Sequence, residues 1–193
     1  MARTFNTPTT TTVEPIVSIA NILQYRMNLN KNQIILNYQK NQIPPDGLYL
    51  TLNYSGPDEA IASQATFDPS TQTEINEVVY SHNINIQIMS LSPDNSARIR
   101  KEEIPLALRS NYAKQIADKN LLGISWLPSD ILDISYFDET AFLNRFSMNI
   151  VVYALHRLVV DSDSFDSFPV SIEEQNGITY PINTQVNPYI VGG

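Results

Sequence analysis

Two stretches of this chain alternate in the manner of long strands, and together they restrict what it can fold into. Across 80–89, Tyr80, His82, Ile84, Ile86 and Ile88 alternate with Ser81, Asn83, Asn85, Gln87 and Met89. A period of two marks a strand with one buried face and one wet face. Across 146–160 the even positions are Phe146, Met148, Ile150, Val152, Ala154, His156, Leu158 and Val160. The odd positions Val151, Tyr153, Leu155 and Val159 are apolar too, so this second strand is expected to be covered on both faces. An amphipathic helical stretch lies between the two. A small α+β domain around one central sheet is the natural container.

Local signals place the other elements. Thr12 is an N-cap candidate with Glu14 and Pro15 behind it, and Ile16, Ile19, Ala20, Leu23 and Met27 recur at helical spacing. Residues 33–38 and 48–54 read as strands on either side of the turn Pro44-Pro45-Asp46-Gly47, and Gly56-Pro57 stops the second. Residues 58–77 are polar and without clear period. They are expected to form the tip of a long β-hairpin whose arms end near Tyr54 and resume near Ile75. Ser92-Pro93-Asp94 opens a helix reaching Lys119, with Ile104, Leu108, Tyr112 and Ile116 on one stripe. Pro105 should kink or split that helix near Lys101, because proline removes a backbone bond and crowds the preceding turn. Short strand-like segments at 121–127 and 131–137 precede the long strand at about 142–160.

Composition narrows the function classes. The chain has 193 residues and no cysteine, which excludes disulfides, thiolate metal sites and thiol nucleophiles together. The longest apolar run, 150–155, is of strand length, and the polar, threonine-rich 1–12 lacks the apolar core of a signal peptide, so a soluble protein made in the cytoplasm is expected. The net charge of −8 argues against gripping nucleic acid through phosphates. Six of the twelve basic residues (Arg98, Arg100, Lys101, Arg109, Lys114, Lys119) fall in the one predicted helix. Beyond Arg157 there is none, while Asp161, Asp163, Asp166, Glu173 and Glu174 follow. Such a basic helix and acidic tail either attract each other between copies or serve as solvated faces.

No constellation supports chemistry. His82 and His156 share the apolar register of their strands and would meet if those strands were neighbours, although strand histidines are far more often structural. The run Asp161-Ser162-Asp163-Ser164-Phe165-Asp166 opens like a calcium loop. It lacks the turn glycine, and Ile172 stands where a bidentate glutamate is needed. Asp130, Asp133, Asp138 and Glu139 would suit a metal-dependent hydrolase, yet the apolar residues alternating with them give the wet face of strands instead. The expectation is no enzyme, no metal and no cofactor.

Three segments carry a family resemblance: DGLYLTLNY at 46–54, ARIRKEEIPLALRS at 97–110, and 128–152 around Leu143-Asn144-Arg145-Phe146. In the order strand, variable hairpin, strand, basic helix, short strands and long strand, residues 14–168 resemble the neck and tail-terminator proteins of long-tailed bacteriophages. The resemblance implies a small mixed sheet flanked by helices. It also implies a homo-oligomeric, hexameric ring in the virion that caps the tail tube and joins the tail to the head connector. DNA would pass through its channel without specific binding, and no membrane would be involved. A head-completion adaptor or a tail-tube subunit is the alternative within this class, and the hydrolase the alternative outside it.

The expected fold is therefore α+β, with a small mixed, mainly antiparallel sheet, a long β-hairpin and flanking helices. The expected division is a flexible N-terminal arm at 1–12, a single domain at 13–161 and an extended acidic arm at 162–193. The candidate subunit-interface residues are Arg98, Arg100, Lys101 and Arg109 on the helix and Phe165, Phe168, Tyr180 and Tyr189 on the tail.

Overall fold

The computed structural model describes residues 13–36, 47–71, 73–91, 94–125, 130–138 and 141–161, with the backbone of two further strands at 168–173 and 179–184. The fold is α+β. Helix α1 (Pro15–Arg26) starts with proline at its first position and buries Ile16, Ile19, Ile22 and Leu23. Thr12 lies outside the described residues, and the N-cap position is Glu14, whose carbonyl accepts from the Val17 N–H at 3.0 Å. The helix ends through Asn28 at φ 51°, a left-handed conformation that asparagine tolerates, with the Leu29 N–H returning to the Gln24 carbonyl at 3.0 Å. A 3-10 turn (Lys31–Gln33) leads to β1 (Ile34–Leu36), and the Gln33 amide donates to the Leu48 carbonyl at 2.7 Å. Of the turn at 44–47 only Gly47 is described. Its φ of 95° needs glycine.

Strand β2 (Leu48–Tyr54) runs parallel to β1, and every other pairing in the sheet is antiparallel. Next come β3 (Glu59–Asp68) and β4 (Thr73–Leu91). The predicted long tip is thus mostly strand: β3 turns at 69–71 and pairs with the first part of β4, from Asp68↔Thr73 to Glu59↔Ser81. A bulge between Ala60 and Ala62 shifts the register and hides the alternation that would have betrayed it. Asp68 closes the turn by accepting from the Ser70 N–H at 2.9 Å and hydroxyl at 2.7 Å. The expected partnership of β2 with β4 holds further on, from Tyr54↔Ile84 to Leu48↔Ser90.

The predicted helix is three helices: α2 (Ser96–Arg100), α3 (Glu103–Leu108) and α4 (Asn111–Lys119). The first break falls at Lys101, where Pro105 was expected to force it. The second follows from Ser110, whose hydroxyl caps the Ala113 N–H at 3.2 Å. Ser92 and Pro93 lie outside the described residues. The Asp94 carboxylate binds the start of α2, accepting from the Ser96 N–H at 2.8 Å and hydroxyl at 2.7 Å. Strands β5 (Leu122–Ile124), β6 (Leu132–Asp133) and β7 (Tyr136–Asp138) then line one edge of β8 (Ala141–Asp161). Finally β9 (Phe168–Glu173) and β10 (Thr179–Thr184) form a separate antiparallel hairpin.

Strands β4 and β8 pair along their whole length, from Thr73↔Asp161 to Leu91↔Leu143. At about 3.3 Å per residue that ladder is on the order of 60 Å long, well beyond an ordinary strand. Sheet order is β1-β2-β4-β8-β5, with β3 on β4 beyond the end of β2. The core lies on one face, where Leu50, Leu52, Ile84, Ile86, Ile88, Phe146, Met148, Ile150 and Val152 meet Ile16, Ile19, Leu23, Ile104 and Leu108. Each such fully buried side chain contributes roughly 1.5–3 kcal/mol. Tyr112 and Ile116 pack at its margin, and Ala97, Ala107, Ala113 and Ala117 let the helices sit close.

The expectation that β8 is covered on both faces is corrected. From Asn144 to Ala154 its even side chains are buried on the helix-covered face, but Asn149, Tyr153, Arg157 and Val159 on the odd face are exposed. The helices all join one layer, and the inner part of the opposite face carries a hydrogen-bonded polar ladder instead. There the Arg145 guanidinium donates to Gln87 at 2.6 Å, Gln87 to Asn85 at 2.8 Å, and Asn85 to Ser147 at 2.8 Å and Asn149 at 2.7 Å. A satisfied ladder can face water, which an apolar face cannot do cheaply.

Candidate functional site

Where the helix-covered sheet gives way to the β3–β4–β8 extension, four rings gather. His82 and His156 lie on the same face of β4 and β8, as their shared register predicts, with ring centroids 6.3 Å apart. Tyr80 completes a triangle with them, edge-on to His156 at 5.2 Å and 6.4 Å from His82, and Tyr54 flanks His82 at 5.9 Å. The buried His82 holds its orientation through Nδ1–H, which donates to Asp58 Oδ1 at 2.7 Å. The Nε2 atoms of both histidines are buried without a hydrogen-bond partner. Tyr54 is tied to the start of α1, donating to the Glu14 carboxylate and accepting from the Ile16 backbone. Burial, followed by the negative charges of Glu14 and Asp58, pushes its phenol up to about 12.

This cluster joins β2, β4 and β8 to the start of α1. Asp58 and Tyr54 were not singled out from the sequence, because Asp58 sits in the segment read as a loop. Among the described residues no group of three or more histidine or carboxylate side chains is placed to hold a metal ion. In the acidic stretch, Asp130 is exposed, and the Asp138 side chain and Glu139 lie outside the described residues. Asp133 accepts from the Ser135 hydroxyl at 2.6 Å and N–H at 3.1 Å; these bonds first, then the charges of Arg98 and Lys101, hold its carboxyl below the usual range. The calcium-like run lies outside the described residues after Asp161.

The predicted interface cations divide by what they touch. Arg100 works within the chain: it grips Glu103, with Nη2 at 2.7 Å, and donates to the Met27 carbonyl at 2.6 Å, fastening the end of α1 to the α2–α3 corner. The Lys101 ammonium sits 4.6 Å above the Phe146 ring. Arg98 reaches Asp133 at 3.5 Å yet stays mostly exposed, and Arg109 is exposed. Beside them Ile99 and Leu106 are 76% and 67% exposed, unusual values for aliphatic side chains on a packed layer. Phe165 and Tyr189 lie outside the described residues. Phe168 and Tyr180 are placed only as backbone, pairing with Thr184 and Ile172 in the β9–β10 hairpin.

The other concentration of uncovered surface is the blade formed by β3, the first part of β4 and the last part of β8. None of residues 59–68, 73–80 and 155–159 is buried. Ile61 and Phe67 are each 53% exposed and Val159 is 42% exposed, while Ile75, Val78, Val79, Leu155 and Leu158 are only half-buried. An exposed rung crosses the blade: Arg157 Nη2 lies 2.6 Å from Glu77 Oε1, and Gln64 donates to Glu77 Oε2 at 2.6 Å. No helix among the described residues is long and apolar enough to cross a membrane. Neither a protein-family model nor a curated protein matches the chain.

Proposed function

We propose that the chain is a structural ring subunit of a long-tailed phage neck, capping the tail tube and joining the tail to the head connector while DNA passes through. The observation that carries the reading is the blade. Among the described residues no layer covers this three-stranded sheet, which has apolar residues on both faces, and packing against neighbouring copies would remove them from water. The net charge of −8 fits a channel that lets DNA slide, because it offers phosphates no cationic grip. The contacts of His82 and Arg100, which tie separate segments together, suit a part that must hold its shape.

The test is assembly. The purified protein should sediment as a closed oligomer and give ring-shaped particles by electron microscopy. Ending the chain after Phe168 should leave the core folded while weakening ring formation or attachment of tails to heads, since the removed segment has the composition of a partner-ordered arm. A truncated protein that built rings and joined heads to tails normally would remove the tail from this account. A protein that stayed monomeric at high concentration would remove the ring.

A further inference from the structure

The described surface is electrically two-ended. The blade and its root, 58–82 with 152–159, hold five acids (Asp58, Glu59, Asp68, Glu74, Glu77) against one arginine, Arg157. The α2–α4 stretch, 96–119, holds six cations against three acids (Glu102, Glu103, Asp118). Each end also carries aliphatic or aromatic side chains in water: Ile61, Phe67 and Val159 on the blade, Ile99 and Leu106 on the helices. Among the described residues of the blade Glu77 is the acid paired with an arginine, while Glu59 and Glu74 are exposed.

We propose that the blade of one copy seats on the basic α2–α4 layer of a second copy, head to tail. The inference rests on the ring reading and specifies its interface. Two observations commit it to a second copy. The charges are complementary, and both partners expose apolar side chains that such a contact would remove from water together. Because the two surfaces differ, the contact is heterologous, and repeating it closes a ring if the rotation permits. The apolar groups would supply the adhesion, with the acids and cations selecting partner and direction.

The experiment is a charge exchange read by sedimentation. One variant carries Glu59→Lys and Glu74→Lys, the other Arg98→Glu and Lys119→Glu. All four side chains are exposed, and circular dichroism of each variant checks its fold. Each variant alone should need at least about tenfold more protein to assemble than wild type at low salt, because like charges now meet. Mixing the two should restore assembly, since a reversed blade then meets a reversed helix layer. The penalty should shrink at 1 M salt, where the screening length is about 3 Å. If both variants assemble like wild type, or if the mixture fails to recover, the blade-to-helix contact is wrong although the ring reading stands. If wild type itself never assembles, both fall.

Discussion

The two halves of the β4–β8 ladder are paired in the same way and have opposite fates. In the inner half Ile84, Ile86 and Ile88 face Ile150, Met148 and Phe146, and all are essentially excluded from solvent. In the outer half Val78, Asn76 and Glu74 face His156, Leu158 and Val160 on the same side of the sheet, where no described side chain is buried. Period-two alternation sets which face a residue occupies. Whether that face is dry depends on a second layer, which α1 to α4 supply for the inner half only. Strand pairing thus carries the backbone across both halves, while hydrophobic stability is concentrated in one.

The sharpest way to break this contrast is to remove one phenylalanine from each half. Phe146→Ala, in the core, should cost about 3–5 kcal/mol in urea unfolding of dilute, unassembled protein. Phe67→Ala, on the blade, should stay within about 0.5 kcal/mol under the same conditions. Leu108→Ala tests the helix layer itself and should cost about 2–5 kcal/mol. If Phe67→Ala proved as damaging as Phe146→Ala, the blade would be packed in the isolated chain, and the division drawn here would fail.

The junction should give an intermediate result. His82→Gln removes the imidazole Nδ1–H bonded to Asp58 and one ring from the cluster with Tyr54, Tyr80 and His156. A lost intramolecular hydrogen bond is worth about 1 kcal/mol, so a modest drop in the urea midpoint is expected, with assembly retained. Loss of a hydrolytic activity of the purified protein in this variant would instead mean that the cluster is a catalytic site.

Much of the inner half was legible in the sequence, since long strands and α1 announce themselves by periodicity and the break at Lys101 by Pro105. The blade was not. A bulge at Ala60–Ala62 and a face of alanine, serine, glutamine and threonine erase the period in β3, so a strand read as a loop. The apolar odd positions of β8 misled in the opposite direction: Val151, Tyr153, Leu155 and Val159 suggested a second covering layer, and none of them is buried. Of the site, the meeting of the histidines followed from register. The roles of Asp58, Tyr54 and Arg100 depend on contacts between distant segments, which no local pattern encodes.

The smallest expected effect belongs to the rung on the blade, and its pH dependence identifies it. Glu77 accepts from Arg157 Nε at 2.7 Å and Nη2 at 2.6 Å and from Gln64 at 2.6 Å. These bonds, Arg157 first, hold its carboxyl below the usual value. In the unfolded chain that carboxyl returns to its ordinary range near about 4.3. A carboxyl depressed by folding stabilises the native state at pH values above its unfolded value. That contribution fades as pH falls through the folded value, where both states become protonated. Because the arginine is well exposed, the pair is a surface ion pair of small worth. Arg157→Ala should therefore lower the urea midpoint slightly at pH 7, and the gap from wild type should narrow as the pH falls below the carboxyl's unfolded value and through its folded one. A large gap at pH 7, or one that survives acid, would mean that Arg157 supports the blade through packing of its stem against β3 and β4, and that the outer half carries more stability of its own than its exposure implies.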